Sequence, residues 1–347
     1  MLKTLRRLYL LLVAVSLLAL LAPWANPSWL WPLAILGLAA PYFLGLHVLF
    51  LLYWISRRER YAWYGLGVLL MSFTILKGVV GLGSRSVSTT EHLRLVSFNA
   101  HMFQAKEAGE GLIDPEVFRK NLKDWNPDIL AIQEFVQTPK LRQQFLKVIE
   151  SAGLTYRNPE QKDGSSILVF SRYPVQQINY RSQNKVSGYL VVDVKTPKGP
   201  VRVVNVHLNS NYITGLTQQL ADNGDLRERE TWSGFRQVLA RYRQGAIRRS
   251  EQAAQVQELI QKSEIPIILC GDFNDTSKSY TYQVIKGGLQ DAFLKAGKGL
   301  GATYAGKIPG LRIDYVLCSP SLRVQSCARA PLSFSDHYPL IAELQVP

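Results

Sequence analysis

The sequence predicts an α/β domain carried behind a membrane-spanning N-terminal segment, on three observations. Residues 1–83 hold three long, nearly uninterrupted apolar runs. Residues 92–347 alternate short apolar runs of strand length with amphipathic runs of helix length. Several of the short runs end or begin in clustered polar side chains, and strand ends are where an α/β scaffold places its chemistry.

The apolar runs are Leu8–Ala22, Leu30–Ile55 and Tyr61–Gly83. The second and third reach the ~20 residues a helix needs to cross hydrocarbon, and the first does so if it includes Pro23 and Trp24. Residues 1–83 are therefore expected to be an anchor with spans at 8–24, 30–55 and 61–83. Lys3, Arg6 and Arg7 ahead of an apolar stretch also fit a signal peptide. No small-x-small cleavage site precedes Pro23 and two further runs follow at once, so a retained helix is expected.

Arg57, Arg58 and Arg60 separate the second and third runs, while the loop Asn26–Trp29 is uncharged. The positive-inside rule puts the N-terminus and the Arg57–Arg60 loop in the cytoplasm. Three spans then place everything after Gly83 on the other side, as in a multi-pass bacterial inner-membrane protein with its large domain outside. Trp24, Trp29, Trp54, Tyr61, Trp63 and Tyr64 sit at the span ends, as interfacial belts do. Lys77 is expected to snorkel and His47 to pack between helices. Residues 84–91 read as a linker.

Charge divides unevenly. Residues 1–83 hold seven Lys/Arg and one acid; the remaining 33 bases and 25 acids belong to residues 84–347. A moderately basic domain fits anionic substrates or an anionic lipid surface, and equally fits ordinary solubility charge. Three cysteines, Cys270, Cys318 and Cys327, make no disulfide framework and no zinc spacing, and read as buried fillers.

Along residues 92–347, Leu93–Phe98 reads as a strand ending in Asn99-Ala100-His101. Asp114 starts a helix with Pro115 at its first position, and Pro127 follows its end. Asp128–Ile132 is a strand ending in Gln133-Glu134, and Leu141–Ser151 an amphipathic helix before Gly153. Ser165–Phe170, Leu190–Val194 and Val201–Val206 are strands, the last delivering His207 and Asn209. Ser166 and Arg172 are expected to shape the site from the first of these three. The polar stretch 211–225 has the length of a functional loop.

Residues 227–262 read as one or two helices in which Trp232, Phe235, Leu239 and Tyr242 form a core-facing stripe. Arg241, Arg243, Arg248 and Arg249 read as a solvated face from which one arginine can reach a phosphate. Ile267–Cys270 is a buried strand opening into Gly271-Asp272-Phe273-Asn274-Asp275, and Asp275 is expected to form an Asx turn. Ile313–Leu317 carries Asp314 at its start, beside Arg312 as an alternative partner. Ser335-Asp336-His337 precedes the last strand, Leu340–Leu344.

Gly-Asp-Phe-Asn at 271–274 together with Ser-Asp-His at 335–337, supported by Gln133-Glu134 and Asn205-Val206-His207-Leu208, resembles the endonuclease/exonuclease/phosphatase superfamily. The resemblance covers residues 92–347. It implies a DNase I-like four-layer α/β/β/α sandwich of two mostly antiparallel sheets, and Mg²⁺-dependent cleavage of a phosphate ester, with Mn²⁺ as a substitute. It implies metal ligation by Glu134 and Asp336 with Asn99 beside them. Asp272 then orients or deprotonates water, Asn274 holds phosphate and the Asp272 carboxylate, and His207 serves the phosphate or leaving group. His337 acts as base or charge stabiliser, held by Asp314. Asn209 and Arg248 are the expected substrate contacts.

Repair enzymes resembling exonuclease III carry a lysine soon after Gln-Glu; here Phe135-Val136-Gln137-Thr138 follows. With a domain outside the cytoplasm, this favours a phosphodiesterase or phosphatase acting on a lipid head group or another extracytoplasmic ester. A membrane-tethered nuclease is the second reading, and a non-catalytic membrane scaffold the third. No protein partner is legible.

Overall fold

The computed structural model describes residues 2–73, 78, 80–83, 92–104, 111–136, 138–161, 164, 166–184, 186–211, 227–306, 310–332 and 334–347. Lys77, the linker 84–91 and the loop 211–225 beyond Asn211 lie outside the described residues. The chain forms two units, one of residues 1–78, 209–254 and 275–285, the other of residues 79–208, 255–274 and 286–347.

In the first unit, α1 (Leu2–Ala19) and α2 (Pro27–Ser56) are long and apolar enough to cross a membrane. Asn26 caps α2, its Oδ1 accepting the Ser28 N–H at 2.9 Å. An Arg6–Glu59 ion pair ties the start of α1 to the turn beyond α2. His47 meets Ser16 Oγ at 2.9 Å, the interhelical packing role expected of it. The third apolar run does not remain helical over 61–83. Helix α3 is Tyr61–Met71, 11 residues, and Val80–Leu82 is a strand, β1, which belongs to the second unit together with its partner β11 (Lys298–Leu300). Gly78, Gly81 and Gly83 lower the helical preference of that stretch.

The first unit also holds most of α6 (Arg229–Gln261), a single 33-residue helix. Its inward face includes Thr231, Tyr242, Ala246 and Arg249. The expected core stripe is only partly inward: Tyr242 is buried, but Trp232, Phe235 and Leu239 are exposed. Arg249, fully buried, bonds Asp275, the Asn209 carbonyl and Asn211. Asp275 also accepts the Thr276 N–H.

The second unit is built on two six-stranded mixed sheets. One runs β10 (Gln290–Asp291), β12 (Asp314–Cys318), β9 (Ile267–Asp272), β8 (Gly199–His207), β7 (Gly188–Thr196), β6 (Val175–Ser182). The other runs β13 (Arg323–Arg329), β14 (Leu340–Gln345), β2 (Leu93–Asn99), β3 (Ile129–Gln133), β5 (Leu168–Ser171), β4 (Tyr156–Arg157). Each has one parallel pair at its centre, β8 with β9 and β2 with β3; the other pairings are antiparallel.

Strand alternation builds two cores. Leu95, Ala131 and Val169 of one sheet pack with Leu190, Val203, Ile268 and Val316 of the other. The opposite faces of β2, β3 and β5 send Val96, Phe98, Leu130, Ile132 and Phe170 toward α4 (Pro115–Trp125) and α5 (Pro139–Ser151). Burial on both faces explains why these strands read as continuous apolar runs. Asp114 caps α4 by accepting the Glu116 N–H, and left-handed Asn126 ends it.

Candidate active site

Register carries the polar side chains to a common end of the sheets. Asn99 pairs with Gln133 across β2 and β3, His207 with Asp272 across β8 and β9, and Asp314 with Asp272 across β12 and β9. Between the sheets, Gln133 Nε2 donates to Asn205 Oδ1 at 2.6 Å, and Asn205 Nδ2 donates to the carbonyls of Ile132 and Leu168. These two buried amides clamp the sheets directly behind the cluster.

Close approach at the centre requires glycine at 271. Its φ is +128°, and a Cβ there would lie 1.9 Å from the Val206 carbonyl oxygen. Gly271 lies within β9 and lets β8 come close. The turns beyond the strands are strained. Glu134, Asn274 and Ser335 have φ of 52°, 51° and 63°, and so do His101, Met102 and Phe103 at 45°, 55° and 60°. Non-glycine residues rarely adopt this region, and such strain concentrates at functional sites. Phe103, buried and stacked on Phe145 with centroids 3.9 Å apart, holds the second group in place.

The acidic and imidazole groups converge. Asn99 Nδ2 donates to Asp272 Oδ2 at 3.0 Å and to Glu134 Oε1 at 3.4 Å. Asn274 donates its backbone N–H to Asp272 Oδ1 at 2.7 Å and its amide to Oδ2 at 3.2 Å. His207 Nδ1 is 2.8 Å from the Val186 carbonyl, so that nitrogen is the N–H donor. Its Nε2 is buried and has no hydrogen-bond partner among the described residues, 3.5 Å from Glu134 Oε1 and 3.6 Å from Asp272 Oδ2.

His337 Nδ1 meets Asp314, and its Nε2 lies 3.8 Å from Asp272 Oδ2 and 3.9 Å from Asp336 Oδ1. Arg312 does not compete for Asp314: it pairs with Asp291 at 2.9 Å and stacks on Tyr315. Burial alone would lower the His337 pKa, but the charges of Asp314 and Asp272, the Asp314 hydrogen bond and Asp336 outweigh it and raise the value to about 10. His337 is therefore an imidazolium at neutral pH. Asp272 shifts upward, chiefly because burial disfavours its charge, with Asp314 adding repulsion and the two histidines opposing it.

Eight anticipated residues thus share one cluster: Asn99, Glu134, His207, Asp272, Asn274, Asp314, Asp336 and His337. Asn209 and Arg248 belong to the first unit, where Arg248 is exposed and Asn209 takes its N–H to Gln252. Ser166 is buried, its carbonyl accepting the Phe135 N–H. Arg172 does not line the site: it binds the Pro127 carbonyl and Asn126 at the start of β3, the end opposite Glu134.

Sequence reasoning passed over three contributors. His101 Nδ1 lies 3.2 Å from Asp336 Oδ1. Ser335 Oγ donates to the Asn99 carbonyl and accepts the His337 N–H. Thr303 Oγ1 accepts the N–H groups of Ile313 and Asp314. The first two stood beside anticipated residues, in Asn99-Ala100-His101 and Ser335-Asp336-His337; nothing local marked Thr303.

Oxygen donors and imidazoles of this kind suit a hard divalent cation. Ligand atoms of Asp272, Asp314 and His337 lie within 4.8 Å of one another, close enough to share an ion. Seating it there would displace the His337 proton and the Asp314 bond, since an imidazole must be deprotonated to bind metal.

A family model described as the endonuclease/exonuclease/phosphatase family matches residues 96–337, and one described as a domain of unknown function matches residues 2–79. No curated protein matches the chain. Among solved structures, humanized D. rerio TDP2 is 14% identical, over 74% of this chain and 100% of that one, with a TM-score of 0.51. Sphingomyelinase C from Streptomyces griseocarneus is 16% identical over 73% and 99%, with a TM-score of 0.45. The mannosyl-6-phosphatase Bt3783 of Bacteroides thetaiotaomicron is 19% identical over 73% and 99%, also at 0.45. The family match spans most of the chain and both of the strand-end motifs, and on it the chain belongs to the endonuclease/exonuclease/phosphatase family.

Proposed function

We propose that this chain is a membrane-anchored, Mg²⁺-dependent phosphoesterase that hydrolyses an ester outside the cytoplasm, with phospholipid head groups as the preferred substrate class. The observation that carries the catalytic reading is His207 Nε2, buried, without a hydrogen-bond partner among the described residues and placed between the Glu134 and Asp272 carboxylates. A partnerless buried nitrogen beside two acids is costly unless a phosphate or a cation completes it.

Glu134 and Asp336, with Asn99 positioning Glu134, would hold the ion, an assignment that leaves the His337–Asp314 bond intact. When bound, the cation supplies neutralisation of charge at phosphoryl oxygens. Asp272, its Oδ1 held by the Asn274 N–H, orients the incoming water and takes its proton; its raised pKa makes it the stronger base. His337 donates its Nε2 proton to a phosphoryl oxygen as charge accumulates there. His207, its Nδ1–H fixed by the Val186 carbonyl, would in its doubly protonated form give the Nε2 proton to the departing oxygen as the P–O bond breaks.

The anchor reading rests on the two apolar helices and on the basic residues at Arg6, Arg7, Arg57, Arg58 and Arg60; placement of the domain outside the cytoplasm further requires that the apolar run 61–83, of which α3 is the long helical part, complete a third crossing. The test is a substrate panel for the full chain in detergent: phosphatidylglycerol, phosphatidylcholine, sphingomyelin, inositol phosphates, nucleotides and plasmid DNA, with Mg²⁺ or with EDTA. Mg²⁺-dependent release of a head group supports the reading. Turnover confined to DNA, falling steeply with salt, would replace it with a tethered nuclease.

A further inference from the structure

Thr303, fully buried, stands between the two chain segments that carry Asp314 and His337. Strand β12 begins at Asp314, but its neighbour β10 pairs only with Leu317 and Cys318, so that ladder stops short of the Asp314 end. Backbone N–H groups in the interior need partners. The Thr303 hydroxyl oxygen supplies one there, accepting the Ile313 N–H at 3.1 Å and the Asp314 N–H at 3.0 Å.

The main chain of the same stretch holds the other partner of the pair. The Thr303 carbonyl accepts the Tyr338 N–H at 2.7 Å, and the Ala305 N–H donates to the Asp336 carbonyl at 2.7 Å. His337 is thus tied on both of its flanks to residues 303–305. Tyr304 forms an antiparallel bridge with it, and the tyrosine and imidazole rings meet edge-on with centroids 5.5 Å apart.

Asp314 belongs to one sheet and His337 precedes a strand of the other, so no ladder sets the distance between them. The apolar packing that joins the sheets is non-directional. Hydrogen bonds are directional, and Thr303 makes them to both segments. The path Asp314–Thr303–Tyr338–His337 closes on the 2.9 Å contact between His337 Nδ1 and Asp314 Oδ2. Valine has the shape of threonine and could keep the carbonyl contact, but it has no oxygen for the two N–H groups. The hydroxyl is the part of this residue that core packing does not call for.

We infer that Thr303 is a positioning residue for the His337–Asp314 pair: its hydroxyl sets where the Asp314 carboxylate stands, and through that bond the direction in which His337 presents Nε2. For its effect on turnover the inference rests on the phosphoesterase reading above; the geometry it assigns to the pair is independent of any substrate.

The experiment compares the full chain in detergent with Thr303→Val and Thr303→Ser, each checked for fold by circular dichroism. One readout is Mg²⁺-dependent hydrolysis of bis-p-nitrophenyl phosphate. The other is the low-field proton resonance of His337 Nδ1–H, assigned by its absence from His337→Ala. The valine variant is expected to lose about ten-fold or more in kcat with KM within about two-fold, because a misplaced group costs transition-state contacts rather than binding. Its Nδ1–H resonance should move upfield or be lost to exchange with water. The serine variant, which keeps the hydroxyl, should hold kcat within about three-fold of the parent and leave the resonance in place. A folded valine variant with the parental kcat and resonance would overturn the inference. The serine arm decides when the valine variant does not fold: a folded serine variant whose kcat falls about ten-fold, or whose resonance moves, overturns it too. A parent that turns over no ester would remove the phosphoesterase reading instead, and the resonance alone would then judge the positioning role, an unmoved signal in the valine variant counting against it.

Discussion

His337 Nδ1 lies 2.9 Å from Asp314 Oδ2, and the two residues stand at strand ends of different sheets, one before β14 and one at the start of β12. This bond fixes which ring nitrogen faces the cluster. It also raises the pKa of the ring, which favours the imidazolium form in the role proposed for His337.

Asp314→Asn keeps the shape and removes the charge. The expected result is a fall in kcat of about 100-fold or more with little change in thermal stability. In parallel, the His337 imidazole should titrate at lower pH by NMR, since its strongest supporting charge is gone. An unchanged titration would separate the pair from the chemistry.

Gly271→Ala probes the packing beneath the site. The added Cβ would meet the Val206 carbonyl at 1.9 Å in a backbone region closed to alanine. Clash and strain together should cost about 3 kcal/mol or more, read as a lower denaturant midpoint or as failure to fold. A variant as stable as the parent would mean that β8 and β9 lie farther apart.

Glu343 supplies a pH test away from the cluster. Burial would raise its pKa, but hydrogen bonds from Ser326 and Arg94, with the charges of His92 and Arg94, hold it below the ordinary 4.5. A depressed folded pKa contributes stability above the unfolded value and loses it as pH falls through the folded one. Glu343→Gln should therefore destabilise at pH 7, by on the order of 1 kcal/mol, and matter progressively less in acid. Melting curves across that range check it; a deficit that grows in acid would reverse the sign.

Topology has its own readout. With α1 starting in the cytoplasm and the run 61–83 completing a third crossing, a C-terminal alkaline-phosphatase fusion should be active and a fluorescent-protein fusion dark when export follows the general secretory route. The opposite pair of results would put the domain inside the cell and favour nucleic acid as substrate.

Much of this architecture is legible before any coordinates. Strands β2, β3, β8 and β9 are buried on both faces, so each appears as an apolar run, and the residues that end the runs are the ones the register brings together. Strand β6 escaped notice because it is a sheet edge: Val-Gln-Gln-Ile-Asn-Tyr-Arg-Ser alternates between partly buried and exposed and presents no apolar run. The Trp232–Leu239 stripe was misread as core because helical periodicity reports that a face is apolar, not what it meets. Arg172 was misplaced for a related reason, since a residue at a strand end can stand at either end of the sheet. The third apolar run was long enough to span, but composition cannot show where glycines let a chain leave a helix for a strand.

The central claim is that Glu134, His207, Asp272 and His337 act on one phosphate. Its most direct measurement is Mg²⁺-dependent hydrolysis of a generic phosphodiester by the full chain and by Asp272→Asn, with each protein's fold checked by circular dichroism. The account predicts loss of about three orders of magnitude in kcat for the variant at unchanged ellipticity, and loss of parent activity in EDTA that Mg²⁺ restores. Equal turnover by parent and variant would contradict it.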